Sequence, residues 1–131
     1  MDLTYDGSVG VPELDERHQR LFERFASIKN ILVEGGGWNE IHSELLILIK
    51  DLEFCFAVEE VLMRIHEFPD FDTHITEHAG LLQTFRELAK ANLSNGLTAN
   101  MLGAALAATM VHHLTQNRRY TRYLPKAYQK A

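Results

Sequence analysis

Two pairs of metal-competent side chains flank a single proline. Cys55 and Glu59 stand four residues apart on one side of Pro69, and His74 and His78 stand four apart on the other. On a helix, residues at i and i+4 lie one above the other on the same face. Proline removes a backbone donor and ends the helix that precedes it, so the two pairs belong to different helices that can face each other. A carboxylate on an apolar stripe is costly to bury unless it pairs or meets a cation. These requirements point to a helical bundle with a metal-competent interior layer.

The rest of the chain supplies the other helices. Residues 1–11 hold Gly7 and Gly10 without a helical period and read as a short extended arm. Leu14, His18, Leu21, Phe25 and Ile28 recur at spacings of four and three, an apolar stripe with one histidine in it, on a helix expected over about 13–34. Gly35-Gly36-Gly37 stops it. Asn39 is placed to cap a second helix, about 39–66, whose stripe is Ile41, Leu45, Leu48, Leu52, Cys55, Glu59, Leu62 and His66. Glu60 falls off that stripe and is expected in solvent, as is His42. Asp70 or Asp72 caps a third helix, about 72–92, with Phe71, His74, His78, Leu81, Phe85 and Leu88 inward. Asn92 to Gly96 reads as a turn. Thr98 is placed to cap a fourth helix, about 98–117, followed by a basic, aromatic tail over 118–131. Four helices with short connections and no strand pattern predict an all-α, antiparallel up-down-up-down four-helix bundle in a single domain, 1–131.

Composition narrows the partners. Eighteen acids against thirteen bases give a net charge of −5, which argues against nucleic acid, whose phosphates call for a concentrated basic surface. No run of about 18 apolar residues is present, so no membrane span is expected. One cysteine cannot form an internal disulfide, and with no signal-like opening segment the expected location is the cytoplasm.

Each helix brings a ligand type to one interior layer: His18 from the first, Cys55 and Glu59 from the second, His74 and His78 from the third, His112 or His113 from the fourth. Leu102, Leu106, Thr109 and His113 make one possible stripe of the fourth helix. Met101, Ala105, Ala108 and His112 make another, and the period does not choose between them. Buried imidazoles with a carboxylate are destabilising unless a metal satisfies them, and that donor set suits iron, with zinc or manganese as competitors.

The sequence resembles the hemerythrins, and specifically single-domain bacterial ones, over essentially its whole length. V-G-V-P-E-L-D-E-R-H-Q-R-L resembles the family's G-I-x-x-I-D-x-Q-H-x-x-L and sets His18 on a ligand histidine. C-F-A-V-E-E-V-L-M resembles H-F-x-x-E-E-x-x-M and sets Glu59 on the bridging glutamate. F-P-D-F-D-T-H-I-T-E-H resembles Y-P-x-x-x-x-H-x-x-x-H and sets His74 and His78 on two more ligands. H-H-L-T-Q-N-R-R-Y resembles H-I-x-x-x-D-x-x-Y and favours His112 as the fifth.

Two departures accompany these matches. Cys55 stands where the family has a ligand histidine, and Asn117 where it has the bridging aspartate; Ala108 replaces a tryptophan. The resemblance implies a two-iron site. One iron keeps three histidines here, His74, His78 and His112; the gas-binding iron keeps His18, with Cys55 beside it. A thiolate is softer than imidazole, and asparagine carries no charge with which to bridge. The expected function is therefore binding, carrying or sensing dioxygen or nitric oxide at one or two irons, without enzyme turnover. The other expectation is a degenerate relative, with one metal or none, acting as a structural or partner-binding module.

Overall fold

The structure, a computed structural model, describes residues 12–91, 96–112 and 115. Among them are four α-helices and no strand: α1 (Pro12–Val33), α2 (Trp38–Ile65), α3 (Phe71–Lys90) and α4 (Gly96–His112). Each helix packs on the next in sequence, and α1 also meets α4, which closes the four-helix bundle. His18 of α1 meets Glu59 near the end of α2, whereas Arg24, farther along α1, meets Glu44 near its start. These two helices therefore run in opposite directions. The same holds for α2 and α3, where Glu60 meets His78 and Glu53 meets Arg86.

The stripes fill the interior. Leu14, His18, Leu21, Phe25 and Ile28 are all buried, as are Ile41, Leu45, Leu48, Leu52, Cys55 and Glu59. On α3, His74, His78, Phe85 and Leu88 are buried, while Phe71 and Leu81 are half-buried at the rim. One continuous apolar cluster runs from Leu21 and Phe25 through Leu45, Leu52 and Phe85 to Leu102 and Leu106. A smaller cluster of Leu14, Met63 and Phe68 lies apart from it.

The helix ends correct several expectations. Gly36 N–H donates to Ile31 O at 2.8 Å and Gly35 adopts a φ of 73°, a closing turn that needs a left-handed residue just past the helix. The N-cap of α2 is Gly37, not Asn39, which lies inside the first turn. Asp70 takes the N-cap position of α3 without a capping hydrogen bond from its side chain, and Asp72 is an acid of the first turn, where it complements the helix dipole. The fourth helix begins at Gly96, two residues before Thr98. The expected arm, the basic tail, His113 and Asn117 lie outside the described residues.

The two stripes proposed for α4 merge into one. Leu102, Ala105, Leu106, Thr109 and His112 are buried, whereas Met101 and Ala108 are exposed. The helix carries no Asp, Glu, Lys or Arg to contrast an outer face with an inner one, so period alone is a weak guide there.

Candidate metal centre

Six buried polar side chains from four helices meet in the bundle core and divide into two groups of three. His74, His78 and His112 form one; His18, Cys55 and Glu59 form the other. Within each group the potential ligand atoms all lie within 4.8 Å of one another. The i,i+4 spacing on α3 sets His74 and His78 on one face, and α4 brings His112 against both. The three ring centroids form a near-equilateral triangle with sides of 4.5, 4.7 and 4.9 Å.

Carboxylates from outside this triangle fix its imidazoles. His78 Nδ1 donates to Glu60 Oε2 at 2.8 Å, and His112 Nδ1 lies 3.1 Å from Glu77 Oε2. A carboxylate only accepts, so the neutral His112 ring carries its proton on Nδ1 and keeps its Nε2 lone pair available. His112 Nε2 is buried and has no hydrogen-bond partner. Such an atom is costly unless something binds it, and a cation among the three rings would do so. Phe56 lies flat against His78, centroids 3.8 Å apart and planes 4° apart, and Phe68 meets His74 edge-on. These contacts hold the rings and keep water out.

Glu59 lies between the two groups. Its Oε1 accepts from His18 Nε2 at 2.6 Å, and its Oε2 is 3.2 Å from His78 Nε2. The residue is wholly buried. Burial by itself would raise its pKa, but the hydrogen bonds and charges of His18 and His78 prevail and hold the carboxyl well below its ordinary range. It is therefore an anion in the core, held between the His18 and His78 imidazoles.

The imidazoles respond to the same neighbourhood. Burial, then the adjacent His78 and His112, lowers His74 to about 4. Burial, then His78, lowers His112 to about 4. Both are neutral at pH 7, the form that ligates metal. Burial also works against charge on His78, yet the Glu59 and Glu60 carboxylates facing its two nitrogens raise its pKa. For Cys55, burial and then Glu59 push the thiol well up, with Arg17 opposing.

Most of the expected site residues come together: His18, Cys55, Glu59, His74, His78 and His112 are all buried in this layer, while His113, the alternative to His112, lies outside the described residues. Asn117 lies outside the described residues. Two expectations are corrected, for Glu60 and for His42. Glu60 is half-buried, its side chain 29% exposed, and engages His78 rather than solvent, because α3 packs against that flank of α2. Glu77, which the sequence did not single out, does the same for His112. Its position three residues after His74 and one before His78 is the only local signal. His42 is also half-buried, packed against the Trp38 ring. His66 is half-buried at the end of α2 and joins neither ligand group.

No helix of the described residues is long and apolar enough to cross a membrane. A family model described as the hemerythrin HHE cation-binding domain matches residues 9–120. No curated protein and no solved structure matches the chain.

Proposed function

Because the chain belongs to the hemerythrin family of HHE cation-binding domains, we propose that it holds non-heme iron in its bundle core and binds, carries or senses dioxygen or nitric oxide there. The observation that carries this is the triangle of buried imidazoles, His74, His78 and His112, two of them (His74 and His112) held neutral, with the Glu59 carboxylate beside it. Three imidazoles and a carboxylate suit a divalent first-row metal and leave coordination positions open. Iron, when bound, supplies an open position for a diatomic gas.

The chain's own residues do the rest. Glu60 and Glu77 orient His78 and His112 through their Nδ1 atoms and raise the basicity of the Nε2 donors. Glu59 balances cation charge in a medium of low dielectric. Leu21, Phe25 and Phe56 exclude water from the layer, which protects a reduced metal from oxidation. A cavity of about 10 Å³ touches His18, Cys55, Glu59, Thr109 and His112, room for one water-sized molecule and for no organic substrate.

Metal analysis with a visible spectrum of freshly purified protein tests the proposal. Iron bound in the folded protein, with a spectrum that changes reversibly on adding and removing dioxygen or nitric oxide, is the expected result. Well-folded protein that takes up no iron would leave a structural or partner-binding bundle, the alternative that Cys55 at a ligand position favours.

A further inference from the structure

The second group of buried donors is not of the same kind as the first. His18, Cys55 and Glu59 offer one nitrogen, one sulfur and one oxygen, with relative exposures of 1, 2 and 0%. We propose that these three side chains form a separate site for a thiophilic divalent cation of the zinc class, chemically distinct from the ion held by His74, His78 and His112. The proposal rests on the core being a metal centre and goes on to say that its two positions select different ions.

Three observations support it. The three donors converge from two helices to within 4.8 Å, a spread that a tetrahedral ion closes with small side-chain movements. Cys55 lies on the core stripe between Leu52 and Glu59, so its sulfur is delivered to the donors rather than to solvent. The small cavity lined by all three residues provides an open position beside them, as in sites where three protein ligands and a water complete the sphere. The donor set then selects the ion. Thiolate is soft and favours zinc over a harder cation, whereas the all-imidazole triangle accepts iron as well as zinc. Glu59 serves both positions, with Oε1 toward His18 and Oε2 toward His78.

Binding is a proton exchange. The cation enters, the Cys55 thiol proton leaves to solvent, and the neutral His18 ring ligates through Nε2 with its proton on Nδ1. No electron moves. Burial and Glu59 disfavour a bare thiolate here, and a dication reverses that balance locally.

The test uses the full chain, stripped by a chelator and titrated with zinc, with helix content followed by circular dichroism. X-ray absorption at the zinc edge reads the ligands directly. Two equivalents are expected, with a sulfur shell at about 2.3 Å on one of them. Cys55→Ser should lose one equivalent and the whole sulfur shell, and Cys55→Ala should match it. His78→Ala should lose the other equivalent and keep the sulfur shell. Zinc bound without sulfur, or two equivalents retained in folded Cys55→Ser, would overturn the proposal while leaving the iron site standing. A sulfur shell in a protein that never binds iron would do the reverse, and a wild-type chain that binds no metal would overturn both.

Discussion

Glu60 Oε2, on α2, lies 2.8 Å from His78 Nδ1, on α3, while the opposite nitrogen of the same ring faces Glu59 Oε2 at 3.2 Å. Adjacent residues of one helix thus grip a single imidazole from two sides. The outer carboxylate fixes the tautomer, and the inner one shares the metal layer.

Glu60→Gln should keep the fold and weaken metal binding. The amide can present its N–H₂ or its oxygen to Nδ1, so the tautomer is no longer imposed. A loss on the order of 10-fold in affinity is expected, the lower end for outer partners of ligand histidines. Glu77→Gln should act similarly through His112. Glu53→Gln, which removes the Arg86 partner in solvent, is the control. Competitive titration against a chelator measures all three. Equal affinity in Glu60→Gln and Glu53→Gln would refute the positioning role.

His78→Ala should abolish most iron binding, and Cys55→Ala should abolish less. His78 belongs to the triangle that keeps its imidazoles and also contacts Glu59. Cys55 belongs to the group with one imidazole. Iron content of the two purified variants decides the order, and the reverse order would show that the iron is held elsewhere.

Metal-free protein should lose stability as pH falls from about 6.5 toward 4. An unfolded imidazole titrates near 6.5, whereas His74 and His112 are held at about 4, so the unfolded state binds more protons in that window. Each contributes up to about 3 kcal/mol at neutral pH. Glu59 acts in the same direction: its depressed pKa stabilises the fold above the ordinary carboxyl range, and that share is lost as pH falls through the folded value. His78 opposes them, since its raised pKa stabilises at low pH and that share is lost as pH rises. The net slope is positive. Chemical denaturation of chelated protein across this range should show it, and metal at pH 7 should raise the melting temperature.

Cys55→His combined with Asn117→Asp should raise iron content and give a dioxygen-dependent spectrum, since the family resemblance sets a histidine and a bridging aspartate at those positions. Each single change should do less, as expected for residues sharing one site. A larger histidine at a buried cysteine carries a typical overpacking cost of about 1–3 kcal/mol. Melting temperature and iron content measured on the same samples separate overpacking from failure to rebuild the site. A stable double variant with unchanged iron content would show that these two positions are not what was lost.

The sequence by itself determined four helices and, for α1 to α3, which face of each turns inward. A 3.6-residue period is a local property, and the contrast between apolar and charged residues marks it wherever both are present. His18, Glu59, His74 and His78 were legible for that reason, since each interrupts an apolar stripe. On α4 the contrast is missing, and Met101 and Ala108 lie outside although one sequence pattern put them inside. Only the tertiary structure decided how the helices are rotated and slid against one another. That set Glu60 against His78, Glu77 against His112 and Phe56 flat on an imidazole 22 residues away. It also set Glu59 between the two donor groups that the family resemblance implied, Oε1 toward His18 and Oε2 toward His78. Such contacts join residues far apart in the chain. They depend on side-chain volumes meeting across the core, which no local period encodes.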